Sequence, residues 1–298
     1  MSGRVGTPAI SRGEAAFQSA RRERRRATQV ALAILAACLW VAGYVSEVNA
    51  GVLWAGLPRV TEYFQRIMPD LRWASLLADS ETEGSIASWF YRWDAWALLL
   101  LETANMAALA TLSGCAIALV LSFFASRNLA RSEWSYQLVR RGLEALRTVP
   151  EIVYALIFVW AFGVGALAGI LAIMIHTIGA MGKLFSEVIE NADMRPWDGI
   201  RASGGTWGQG CRYAILPQVA PNLISYALLR FEINVRGASV IGFVGAGGIG
   251  QEIYTVISFN YYEEISAIVL MVILTVTAID LLSERLRHRI TDARGARA

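Results

Sequence analysis

"GFVGAGGIGQEI", residues 242–253, contains Gly245-Ala246-Gly247-Gly248-Ile249-Gly250, which spells G-x-G-x-x-G. It follows a strand-like "ASVIGFV" (238–244) and precedes the acidic pair Glu263 and Glu264, as a dinucleotide-binding turn would. That pattern has its usual meaning only inside a soluble βαβ unit. The next stretch, "ISAIVLMVILTVTAIDLL" (265–282), is instead an apolar run long enough to approach a membrane span. The choice between a nucleotide site and a bend between membrane helices therefore rests on the rest of the chain.

The 298 residues are 55% hydrophobic and only 17% charged, where a soluble domain carries about a quarter charged residues. The charges gather in clusters separated by nearly uncharged stretches, the pattern of an integral membrane protein. A net charge of +3 gives no basis for nucleic-acid binding. Cys38, Cys115 and Cys211 lack the spacing of a disulfide framework or a metal site, so no metal is expected.

Crossing a ~30 Å bilayer core takes roughly 20 apolar residues in a helix. Six segments meet or approach this: 27–45, 95–125, 149–163, 166–182, 219–235 and 265–282. Basic residues cluster before the first (Arg21, Arg22, Arg24–Arg26), between the second and third (Arg127, Arg131, Arg140, Arg141, Arg147), between the fourth and fifth (Lys183, Arg195, Arg201, Arg212), and after the sixth (Arg285 to Arg297). The alternate loops, 46–94 and 236–264, carry more acid than base. The positive-inside rule then places both termini and the 126–148 and 183–218 loops in the cytoplasm.

The expected organisation is an Arg-rich tail (1–26), a first anchor (27–45), an external amphipathic segment (46–94), a core of 95–284 with a cytoplasmic loop at 186–218, and a tail at 285–298. Val48-Asn49-Ala50 resembles a signal-peptide cleavage site, a rival reading of the first span. Its apolar run is long for a signal sequence, which favours an uncleaved anchor. Trp54, Trp73, Trp89, Tyr91 and Trp93 predict interfacial helices in 46–94.

Within this frame the glycine stretch lies between membrane helices, where nucleotide chemistry has no place. Gly242, Gly245, Gly247, Gly248 and Gly250 are expected to permit a tight bend and close backbone packing. No G-x-x-x-x-G-K-[ST] occurs, so this chain is not expected to hydrolyse ATP itself.

The loop "SEVIENADMRPWDGIRASGGTWGQGCRYAILPQVAPN" (186–222) carries structure of its own. Pro196 opens a short helix, Gly204-Gly205 turn it, Thr206 and Gln209 fit a capping box, and Pro217 is expected to stop the second helix. Such a knob, with Trp and Arg exposed, reads as a docking surface. Asp198-Gly199-Ile200, then Gly204, then Ala214-Ile215-Leu216-Pro217 resemble the E-A-A…G…I-x-L-P signature of ATP-binding-cassette (ABC) importer membrane subunits. Asp-Gly-Ile replaces Glu-Ala-Ala, and Ala214 stands at the Ile position. "IHTIGAMGKLFSEVIE", "GIRASGG" and "ILPQVAPNLISYALLRFEINVRGASVIGFVGAGGIG" resemble the phosphonate permeases of this group over about 95–290.

That resemblance implies an all-α fold of six transmembrane helices, the type I importer permease fold, in a bacterial plasma membrane. It implies a second permease subunit, two cytoplasmic ATPases that hold ATP and Mg, and an external phosphonate-binding protein, with no cofactor on this chain. Trp197, Asp198, Ile200, Arg201, Gly204, Gly205, Trp207, Leu216 and Pro217 would form the ATPase-coupling element. The glycine stretch would sit near the external mouth at the subunit interface.

Span five carries Arg230, Glu232, Asn234 and Arg236, with Arg230 roughly 17 Å into the helix. Charges at that depth face an interior or a water-filled path. Arg230 and Arg236 either attract a phosphonate anion or serve structure, pairing with neighbours or gating the path with Glu151. His176 is either a proton relay or a hydrogen-bonded packing residue. Glu102 and Asp280, near opposite membrane faces, receive no chemical role. An ion-coupled secondary transporter of a small anion would also explain the intramembrane Arg, Glu and His, but not the long glycine-turn loop.

Overall fold

The computed structural model describes residues 7–47 and 49–295, and the side chains of 17, 18, 20–47, 49 and 51–289. Val48 of the Val48-Asn49-Ala50 motif and the Arg294 and Arg297 side chains lie outside this description. Among the described residues every regular element is helical: α1 (Thr7–Val45), α2 (Ala50–Ile67), α3 (Ile86–Trp89), α4 (Trp93–Phe124), α5 (Glu133–Thr148), α6 (Glu151–Phe162), α7 (Ala166–Glu190), α8 (Arg195–Ala202), α9 (Trp207–Gln209), α10 (Leu216–Ile241), α11 (Gly248–Ser258) and α12 (Tyr262–Gly295). A π-helical turn, Gly210–Ile215, joins α9 to α10.

The chain divides into two compact units, with the boundary between Gln65 and Arg66. In the first, α1 runs unbroken across positions 26 and 27, so tail and anchor share one helix there. α2 is amphipathic, with Trp54, Leu53 and Val52 among its exposed side chains.

In the second unit α7 is the central strut, packing against α4, α5, α6 and α10. Small residues set these crossings. A Cβ on Gly179 would stand 2.6 Å from the Arg147 backbone nitrogen, and one on Gly182 would press into Leu143, so α5 approaches α7 at backbone distance. A Cβ on Gly114 of α4 would likewise meet Thr177 at 2.9 Å. The outer faces are apolar: Trp160 is 90% exposed, and Leu112, Leu138 and Leu101 are exposed with it. A surface of this kind suits lipid, not water.

Among the described residues, four helices are long and apolar enough to cross a bilayer, and the number reaches six if each of two bent pairs counts as one span. The expectation of six plain spans needs that adjustment. α6 is 12 residues, about 18 Å long, and passes only together with α5, from which it turns by 85° at Val149-Pro150. Proline in this position disfavours helix at Val149, and the break follows. The segment from Trp207 to Val244 passes together with α11, across a 46° bend.

The 46–94 segment is helical in part, in α2 and α3. Beyond α2 it is built of turns, with Arg72 N–H donating to the Gly84 carbonyl at 3.0 Å, and only the four-residue α3 is helical before α4. Trp89 Nε1 donates to the Glu263 carbonyl and to Ser266 Oγ, and Tyr91 donates to Glu264 at 2.7 Å, tethering this cap to the start of α12.

Candidate functional site

At the α8 end of the bundle, Pro196 sits in the first turn of α8, where its missing N–H costs nothing. The helix ends at Ala202, and beyond the Ser203 cap Gly204 turns the chain with a φ of +83°, the left-handed region that favours glycine. Gly205 N–H donates to the Ile200 carbonyl at 2.9 Å, and a Cβ there would collide with Ile200. Thr206 and Gln209 form the expected capping box. Asp198, Arg201 and Gly204 are exposed on the turn, and Ile200 and Gly205 are half-buried beneath it.

Two expectations for this element fail. Trp197 is only 6% exposed, packed in a cluster with Met181, Phe185, Ile189, Cys211 and Ile215. Its ring abuts Gly210, where a Cβ would stand 2.5 Å away. Trp207 is half-buried, donates from Nε1 to the Leu129 carbonyl at 2.9 Å, stacks on Phe124 and carries the Arg131 guanidinium 5.0 Å above its ring. Both indoles therefore fasten the element to the bundle, Trp197 with almost no surface left to present. Nor does Pro217 stop a helix. It lies in the first turn of α10, and the π-helical turn carries the backbone straight into it. Leu216 is half-buried against the same cluster.

Midway along α10 a polar cluster joins four helices. Arg230 is 6% exposed. Its Nε donates to Thr177 Oγ1 at 3.3 Å, and its Nη2 lies 2.7 Å from His176 Nδ1. An arginine can only donate, so His176 Nδ1 accepts and the ring is the neutral tautomer with its proton on Nε2. Glu151, the first residue of α6, places Oε2 at 3.9 Å from Arg230 Nη2 and 3.8 Å from His176 Nδ1, beyond hydrogen-bond range. Asn234, one turn along, is fully buried and donates to Thr111 Oγ1 at 2.8 Å and Thr177 Oγ1 at 3.0 Å.

The structure thus brings Arg230, His176, Glu151 and Asn234 together, and sends Glu232 and Arg236 elsewhere. Glu232 accepts from Arg287 Nη2 at 3.3 Å, and Arg236 pairs with Asp280 at 3.0 Å. Thr111, Thr177, Asp280 and Arg287 were missed as members of these networks. The signal for Asp280 was its position in an otherwise apolar span, since such a charge needs a partner.

At the opposite end the glycine stretch forms a tight hairpin between α10 and α11. Gly242–Val244 make one 3-10 turn, and Gly245, Gly247 and Gly248 all have positive φ. The Gly245 carbonyl accepts from Gly165 N–H at 2.9 Å, and Ile249 N–H donates to Thr103 Oγ1 at 2.9 Å. A Cβ on Gly250 would collide with the Ser239 carbonyl oxygen, and one on Gly242 would stand 2.6 Å from Gly250 Cα. Two of the loop's N–H groups are committed within the protein, Gly245 to the Gly242 carbonyl and Ile249 to Thr103 Oγ1, and the close approaches at Gly242 and Gly250 give these glycines a packing role.

Comparison with known proteins agrees with this architecture. Residues 118–293 match the family described as binding-protein-dependent transport system inner membrane component. The phosphite transport system permease protein PtxC of Stutzerimonas stutzeri is 36% identical over 266 residues, covering 88% of this chain and 89% of that one. The phosphate-import permease protein PhnE of Mycolicibacterium smegmatis is 34% identical over 189 residues, 63% of this chain and 36% of that one. Among solved structures, the inward-facing MetNI methionine ABC transporter superposes with a TM-score of 0.57 at 20% identity, covering 65% of this chain and 95% of the matched chain.

Proposed function

The chain belongs to the family of binding-protein-dependent transport system inner membrane components, and on that premise we propose that it passes phosphite- or phosphonate-like anions across a bacterial plasma membrane. It is a multi-pass permease subunit of an ABC importer. The family sets aside the ion-coupled alternative.

The observation that carries the anion reading is Arg230. It is buried midway along α10, and its closest contacts are the neutral groups His176 and Thr177. A guanidinium fixed in plane by neutral acceptors keeps its charge and fork available to a phosphorus oxyanion. Asn234 and Thr177 hold that geometry, and His176 in this reading orients the arginine.

In the proposed assembly the chain pairs with a second permease subunit. Two cytoplasmic ATPases, which carry the ATP and Mg, dock on the α8 turn through Asp198, Arg201 and the backbone at Gly204. An external binding protein delivers the anion at the α11 end, and both termini lie in the cytoplasm. ATP binding draws the α8 turns together, and the π-helical join, which has no stop at Pro217, transmits that movement directly into α10 and Arg230. Uptake of labelled phosphite and 2-aminoethylphosphonate by proteoliposomes containing the Arg230→Gln complex tests this. Normal assembly with uptake lost supports the pathway role; normal uptake overturns it.

A further inference from the structure

We propose that Glu151 is the internal counter-anion of Arg230, displaced by the transported anion, and that Gly237 exists to admit its carboxylate. This rests on the reading of Arg230 as an anion contact. The arginine is fixed by His176 and Thr177, so its orientation does not depend on Glu151. The carboxylate stands off at 3.9 Å, and among the described residues Arg230 Nη1 has no hydrogen-bond partner. A structural ion pair closes to hydrogen-bond distance and is often bidentate with arginine. This one is open by about 1 Å, which leaves donors free for an incoming oxyanion while the buried charge stays balanced.

The second observation is steric and comes from another helix. Gly237 lies on α10 two turns beyond Arg230, and a Cβ there would stand 2.6 Å from Glu151 Oε1 and 3.3 Å from its carboxyl carbon. Gly237 is helical, with no positive φ to require glycine. The space a side chain would fill is the space the carboxylate occupies. Glu151 is also the more accessible partner, 26% exposed against 7% for the Arg230 side chain, and it opens α6 at the 85° break from α5. A carboxylate at a break between two helices can withdraw with α6 without disturbing the α7–α10 packing that holds Arg230.

The test measures anion binding to the assembled transporter in nanodiscs, without binding protein, by 31P NMR line broadening of phosphite. Glu151→Gln and Gly237→Ala should each lower the phosphite concentration for half-saturation at least tenfold relative to the parent, because each removes the competing carboxylate. The Glu151→Gln, Gly237→Ala double variant should gain no more than either alone. Glu151→Asp should return binding toward the parent. ATP-driven uptake should slow in both single variants as the retained anion leaves late. If neither variant binds phosphite more tightly, or the two effects add, the counter-anion role is wrong. Arg230→Gln in parallel separates the two ideas: uptake lost there without tighter binding in Glu151→Gln overturns only the counter-anion, whereas uptake retained overturns the anion pathway itself.

Discussion

Glu232 of α10 and Arg287 of α12 form an ion pair at 3.3 Å, one turn along α10 from the Arg236–Asp280 pair at 3.0 Å and with the polarity reversed. On each helix one charge of each sign faces its opposite on the antiparallel neighbour. A slip of α12 by one turn would leave charges unmatched, so the two pairs fix register between helices whose remaining contacts are largely apolar. In these pairs Glu232 and Arg236 stand apart from the Arg230 cluster.

Glu232, whose side chain is 8% exposed, is the deeper member. Glu232→Gln is expected to cost roughly 1–3 kcal/mol by replacing a buried, charge-assisted contact to Arg287 with a neutral one. Asp280→Asn should cost less, because that pair is more exposed. Reversing the outer pair, Arg236→Asp with Asp280→Arg, should recover most of the loss of either single change. Thermal unfolding of the detergent-solubilised complex reads all five variants as Tm, and a double variant no better than its singles would show that the pair does not set register.

Trp197 and Asp198 are adjacent in sequence and opposite in role. Trp197→Ala empties a filled cluster and should cost about 3–5 kcal/mol, seen as loss of protein from the membrane. Asp198→Ala and Arg201→Ala should leave Tm nearly unchanged, within about 0.5 kcal/mol, while weakening co-purification with the ATPase. Equal loss of stability in all three would contradict the division between fastening and presenting residues.

Gly204 has open space around its Cα and a φ of +83°. Gly204→Asp therefore meets no clash and carries only the strain of the left-handed region, about 1 kcal/mol. The protein should reach the membrane in normal amount, yet uptake should fall because the carboxylate occupies the docking turn. Normal uptake by this variant would remove the α8 turn from the coupling path.

Gly250 is more constrained. A methyl group meets the Ser239 carbonyl and stands 2.9 Å from Gly242 Cα, so Gly250→Ala must separate α10 from α11 at a cost of roughly 1–3 kcal/mol. Proteolysis at the 242–250 hairpin should speed up relative to the parent, and unchanged protection would mean the hairpin tolerates that separation.

Much of the fold was legible in the sequence because lipid forces long apolar runs and biases the charges of the loops. The glycine turn and the Thr206–Gln209 box were legible because their chemistry is local. What the sequence concealed was direction. Trp197 and Trp207 sit in a polar loop, and no local pattern tells whether an indole points at a partner or back into its own bundle. Partners at long sequence separation were equally hidden: Arg236 meets Asp280 forty-four residues on, and Arg230 meets His176 fifty-four residues back. Pro217 marks a helix's first turn as readily as its end, and the π-helical join left no residue signature.

The most direct test of the central claim is ATP hydrolysis by proteoliposomes holding this chain with its ATPase, as external binding protein is added empty or loaded with phosphite, 2-aminoethylphosphonate or phosphate. The account predicts that a binding protein loaded with one of these anions raises the rate above that of the empty protein, and that Gly204→Asp abolishes the rise while basal hydrolysis persists. A rate indifferent to every loaded ligand would contradict it.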